Sequence, residues 1–212
     1  MTSGWQFGVA PLPQALALAP LLRRLTASVL SLEHEEIEVE ALIEHIRAAQ
    51  RLLEERAPLN PAPRVGPDAL SDQRVYIDHS RAIGAYNACF PEYTMQVDGD
   101  RAWGTVSFPL AYEGPPGIVH GGFLALFFDC AIQHHNCDLG TAGKTTALNL
   151  SYRRPTPLLQ TVQFEIERSA DDRRISSHSK VMLDGTLLCA ATMEAVAGDR
   201  SRLPMVSPRR RA

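Results

Sequence analysis

Asp129 stands in the middle of the most apolar stretch of the chain, GPPGIVHGGFLALFFDCAIQHH, residues 114 to 135. An ionised carboxylate flanked by Phe127, Phe128, Ala131 and Ile132 is costly unless it is paired or put to chemical use. On a helix its neighbours three and four positions away are Ala125, Leu126, Ile132 and Gln133. None is basic, so a partner must come from elsewhere in the fold or from a subunit boundary. Ahead of the apolar run lies His120-Gly121-Gly122. A helix start there would present unsatisfied N–H groups at its positive dipole end, and glycine would let a substrate carbonyl come close to them. The Gly121 N–H is then placed to polarise a carbonyl oxygen and to hold a developing oxyanion. Cys130, His134 and Cys137 fall at i, i+4 and i+7 of the same segment. That spacing is open to a metal, but a fourth ligand is not evident and free cysteine is commonly core, so no metal is expected.

The elements that must position these residues are legible in outline. Residues 14 to 57 read as helix, in one piece or two, with Leu25, Leu32, Val39, Ile46 and Leu53 recurring every seven positions. The acidic run EHEEIEVE precedes Arg47, Arg51 and Arg56, an order that suits a helix starting near Ser31. The stripe is expected to cover its own domain or a dimer mate, in preference to a coiled coil with another protein. APLNPAPRVGP, residues 57 to 67, reads as a linker. Beyond it, YTMQV and AWGTVSF flank a tight DGD turn, the helix of 120 to 136 follows, and KTTALNLSYRR, TVQFEIERS, ISSHSKVMLDG and TLLCAATMEAV read as four further strands. The order β-β-α-β-β-β-β predicts an α+β unit, an antiparallel sheet wrapped around one long apolar helix. The expected division is an N-terminal helical extension with its linker over 1–66, the sheet domain over 67–198 and a basic tail over 199–212.

Composition excludes several classes. A formal charge of −3 with 45% hydrophobic residues gives no footprint for nucleic acid. Lys144 and Lys180 are the only lysines, which limits Schiff-base chemistry to two candidates. The four cysteines show no framework spacing. The N-terminal apolar patch has no basic residue before it and is broken by Pro11, Pro13 and Pro20, unlike a signal peptide. No apolar run approaches the length of a membrane span. A cytoplasmic location with reduced thiols is expected.

HGG-x6-D, followed by T-x2-LN-x2-YRRP and set between YEGPPGIVHGG and TALNLSYRRPTPL, resembles the PaaI-type acyl-CoA thioesterases of the hotdog superfamily. The resemblance covers roughly residues 85 to 197 and leaves the N-terminal helices outside it. It implies a hotdog fold, a homodimer or a dimer of dimers, and active sites at the subunit interface. Carried over by position, Asp129 is the general base or nucleophile, Gly121 supplies the oxyanion N–H, and His120 shapes the carbonyl site with Gly122 beside it. The motif threonine falls on Thr145, holding water or the acid from a strand that the family pattern places across the dimer interface. Thr146 is the competitor, because strict alternation puts Thr145 with Ala147 and Asn149 on one face and Thr146 with Leu148 and Leu150 on the other.

Coenzyme A would bring phosphates, for which Lys144, Arg153 and Arg154 at the ends of that strand are the candidates. Two departures stand out. Glu113 and Gly114 occupy the region where many members carry an asparagine, and RRPTPLLQ lacks a glycine often found after the proline. No cofactor is implied, since a positioned water, a base and N–H donors suffice to hydrolyse a thioester. The rival readings are a hotdog dehydratase or hydratase, which needs a histidine such as His134 or His135, and a non-catalytic acyl-binding or scaffold protein using the N-terminal helices.

Overall fold

The computed structural model describes residues 11–57, 82–140 and 143–198. The expected linker beyond Ala57 and the basic tail lie outside the described residues. Six strands form one antiparallel sheet in the order β1-β2-β4-β5-β6-β3. They are β1 (Tyr93–Asp98), β2 (Arg101–Ser107), β3 (Gly143–Tyr152), β4 (Thr161–Asp171), β5 (Arg174–Leu183) and β6 (Thr186–Ala197). Period-two patterning commits one face of the sheet to the core: in β4, Val162, Phe164 and Ile166 are buried while Gln163 and Glu167 are exposed. The β5–β6 hairpin turns on Asp184 and Gly185, both with positive φ, as a two-residue turn matched to strand twist requires.

The long apolar helix is α4 (Gly121–Asp138). It packs on the inner face of the sheet, with the Phe127 ring at the centre of Phe90, Tyr93, Phe108 and Phe164. Its burial is not complete. Gly122 and Leu126 are exposed and Asp129 is half-buried, a stripe at i, i+4 and i+7 that lies open in the single chain. β3, at one edge of the sheet, is open as well, with Lys144, Thr145, Thr146 and Ala147 all exposed.

The N-terminal region forms two helices, α1 (Pro13–Leu30) and α2 (Ile37–Arg56), followed after the undescribed stretch by the single turn α3 (Ile83–Tyr86). A helix starting near Ser31 is not found. Ser31 instead closes α1, its N–H and Oγ both bonded to the Ala27 carbonyl, and α2 starts after the acidic residues Glu33, Glu35 and Glu36. The seven-residue stripe is therefore cut at Leu32, which is exposed in the break, as are Ile46 and Leu53 in α2. Only α1 covers its own domain. Its Arg23, 5% exposed, donates to the carbonyls of Gly84, Asn87 and Phe90 and pairs with Glu92. No residue of α2 is buried.

Candidate active site

Asp129 finds its partner on β3. The Thr145 hydroxyl donates to Asp129 Oδ1 at 2.7 Å, within one and the same chain. This corrects the expectation that the facing strand lies across a subunit boundary: for this pair the acid and the hydroxyl travel together. The strand also departs from strict alternation. Pairing with β6 slips between Thr145 and Ala147, so Thr146 is the extra residue of a β-bulge. The bulge brings Thr145 onto the helix-facing side together with Leu148 and Leu150, which pack against the core. Thr146 turns its hydroxyl onto the Glu194 carbonyl at 3.0 Å.

A residue singled out only as a non-basic neighbour completes this cluster. Gln133, one helical turn after Asp129, donates through Nε2 to Thr145 Oγ1 at 2.9 Å, with the Met193 sulfur packed beside both. Its spacing of i+4 from the acid was the available signal, and its apolar surroundings the reason it carried no charge.

At the other end of α4, His120 is the N-cap. Its Nδ1 accepts from the Gly122 N–H at 3.0 Å, which leaves the ring proton on Nε2. The N–H groups of Phe123 and Leu124 go to the His120 carbonyl. Among the described residues, the Gly121 N–H alone of this first turn has no acceptor. Gly121 is also a place of close approach. A Cβ there would lie 3.0 Å from Tyr152 Oη, which donates to the Gly121 carbonyl at 2.9 Å. The loop ahead of it is self-bonded: Glu113 accepts from the Gly117 N–H at 2.7 Å, and Gly114 packs against His120 where a Cβ would clash. Glu113 is thus a turn former in this loop.

Arg153 and Arg154 belong to the Gly121 end of the fold. With Gly121, Tyr152, Val119 and Leu124 they line a cavity of about 460 Å³. Lys144 lies at the opposite end of β3, roughly 30 Å away at the rise of an extended strand. The three cations therefore cannot meet one ligand within a single chain.

Of the ring nitrogens of His134 and His135, only the buried His135 Nδ1 has no hydrogen-bond partner among the described residues. His134 Nδ1 meets the Tyr93 hydroxyl at 2.7 Å, and its Nε2 lies 3.5 Å from Asp138. His135 is fully buried, with Nε2 donating to the Gly99 carbonyl at 2.8 Å, and burial holds its pKa below the ordinary histidine value. Burial likewise pushes the Cys130 thiol up to about 12, away from the thiolate a metal would need. No cluster of metal-ligating side chains occurs among the described residues, and no helix among them is long and apolar enough to cross a membrane.

No family model matches the chain. Among solved structures, a thioesterase superfamily protein is similar over 92% of this chain and 96% of its own, at 25% identity and a TM-score of 0.71. That coverage reaches well beyond residues 85 to 197 and takes in N-terminal helix. Shorter likenesses cover about half of the chain. A phenylacetic acid degradation-related protein from Ralstonia eutropha JMP134 matches 50% of this chain and 84% of its own, at 20% identity and a TM-score of 0.46. A hypothetical thioesterase from Streptococcus pneumoniae TIGR4, solved with coenzyme A, matches 51% and 91%, at 19% identity and a TM-score of 0.48.

Proposed function

We propose that this chain, which has the hotdog fold of the thioesterase superfamily, hydrolyses an acyl-CoA-type thioester at a site assembled from two copies. The observation that carries the reading is the Thr145–Asp129 hydrogen bond, set eight residues along α4 from the unpartnered Gly121 N–H. Thr145 occupies Oδ1 and leaves Oδ2 for water or substrate. Asp129 then acts as general base, taking a proton from water as it attacks the thioester carbon, or as nucleophile through an acyl-enzyme that water opens. In either case the carbonyl oxygen becomes an oxyanion that needs an N–H donor, and the sulfur leaves as thiol.

The geometry of one helix favours a site built from two chains. Eight residues at 1.5 Å each separate Gly121 from Asp129 by about 12 Å. One tetrahedral carbon cannot be served by both ends of that span. A two-fold mate with its α4 antiparallel brings the partner subunit's Gly121 to Asp129, and the reverse at the second site. The open surfaces support this: the stripe of Gly122, Leu126 and Asp129 on α4, and the exposed edge strand β3 beside it. The same pairing carries the partner's Arg153 and Arg154 toward Lys144, which gathers the cations for the phosphates of coenzyme A.

Thiol release from a panel of acyl-CoAs tests the reading. The wild-type chain is expected to release thiol, and Asp129→Asn to do so at least about 100-fold more slowly with an unchanged melting temperature. Absence of release from every acyl-CoA and carrier-protein thioester, or an Asp129→Asn chain within a few-fold of wild type, overturns it.

A further inference from the structure

The acid and its threonine are the visible end of a longer array. Thr145 Oγ1 receives the Gln133 amide at 2.9 Å, Gln133 Oε1 receives Asn136 Nδ2 at 3.3 Å, and Asn136 Oδ1 receives Arg168 Nε at 2.9 Å. Arg168 in turn pairs with Asp100 at 2.9 Å. Gln133 is 6% exposed and Asn136 is fully buried, inside a helix whose other buried residues, His135 apart, are apolar. Two buried amides are costly in such a place unless every member of the array is satisfied.

The direction of each bond follows from the ends. A guanidinium only donates, so Asn136 must turn its oxygen to Arg168 and its NH₂ to Gln133. Gln133 must then turn its oxygen to Asn136 and its NH₂ to Thr145. The threonine oxygen is thereby taken as an acceptor, and its single proton goes to Asp129, an acceptor at the far end. The array runs with one polarity from a cation to the carboxylate.

We propose that Gln133 is a positioning residue: it orders the Thr145 hydroxyl so that its proton stays on Asp129 Oδ1, and Arg168, through Asn136, fixes which way Gln133 faces. This rests on Asp129 and Thr145 being the hydrolytic pair. Without the Gln133 amide, the hydroxyl is released to rotate toward the Met193 sulfur, 3.8 Å away, and the carboxylate loses the bond that aims Oδ2.

The test is a double-mutant cycle in thiol release. Gln133→Met keeps volume and removes the donor. Gln133→Glu keeps the shape and the acceptor for Asn136 but offers Thr145 an acceptor in place of a donor. Both are expected to lower kcat on the order of 10- to 100-fold with little change in KM. In a Thr145→Ala background the same substitutions are expected to cost nothing further, which a merely structural role would not produce. Melting temperatures identify a variant that fails to fold, and Gln133→Glu, which retains the Asn136 bond, carries the test if Gln133→Met does. Unchanged kcat in the Gln133 variants, or an equal loss with and without Thr145, overturns the inference while wild-type hydrolysis leaves the catalytic reading standing. A wild-type chain that hydrolyses no thioester overturns both.

Discussion

Two substitutions on the same helix should complement one another when they sit on different chains. Asp129→Asn removes the acid. Gly121→Pro removes the N–H that would hold the oxyanion, and the backbone accepts it: proline is favoured at the first helical position, and His120 before it already has the extended φ of −62° and ψ of 132° that a residue before proline requires. The added ring atoms meet Tyr152, which is 56% exposed and free to give way by the few tenths of an ångström needed. Each homodimer should be crippled, by about 10²- to 10³-fold for loss of an oxyanion donor.

In a mixed dimer the two lesions fall in one site if acid and donor come from different chains, as proposed from their separation of about 12 Å along the helix. The second site keeps Asp129 from the proline chain and Gly121 from the asparagine chain. Co-refolding at equal concentrations should make half of the dimers mixed, with one good site of two, so thiol release should recover to about a quarter of wild type. The control is Asp129→Asn mixed with Thr145→Ala. Those residues are hydrogen-bonded within one chain, so each site of that mixed dimer carries one lesion and nothing should be regained. Recovery in the control, or none in the Gly121→Pro mixture when native mass spectrometry shows exchanged chains, refutes the two-chain geometry.

Arg23→Met should cost about 3 kcal/mol in urea unfolding, because it strips buried carbonyls of Gly84 and Phe90 of a charged donor; a loss below 1 kcal/mol would show that α1 docks without it. His135 is held neutral in the native state, so the unfolded chain binds a proton below pH of about 6.5 that the native chain does not. Stability from this group is complete above that pH and declines as pH falls, and His135→Gln, assayed by melting temperature between about pH 7.5 and 5.5, should show a shallower decline than wild type. Cys89 is the exposed thiol, while Cys130, Cys137 and Cys189 are buried. Ellman's reagent should therefore titrate one thiol rapidly in the native chain and four in denaturant.

Much of the fold was legible because it is written in local pattern. Strand-like segments between turn signals marked the strands, and the DGD turn marked the first hairpin. The site was legible where one residue conflicted with its surroundings, as Asp129 does. What failed depended on pairing between distant segments. A bulge is a property of two strands, so alternation counted along β3 alone set Thr145 opposite Leu148, and the structure sets them together. Gln133 lies one turn from the acid, but its value comes from Asn136 and Arg168 beyond it. Arg23 sits among leucines on α1, and its partners lie more than 60 positions away. The heptad stripe was real as spacing and void as structure, since Ser31 bonds back to Ala27 and ends the helix in its middle.

The slip at Thr146 makes β3 two strands in series. Ahead of it, Thr145 answers to α4; behind it, Leu148 and Leu150 answer to the core. In an uninterrupted strand, gaining or losing one residue turns every later side chain over. Here the two phases are already decoupled, and the odd residue sits between them. Losing Thr146 would restore plain alternation with Thr145 and Leu148 still on one face, so the position that breaks the pattern is the one whose deletion both halves tolerate. Mutational drift in the core half therefore need not rotate the hydroxyl away from Asp129. Length changes at the loop feeding β3 need not unseat the leucines.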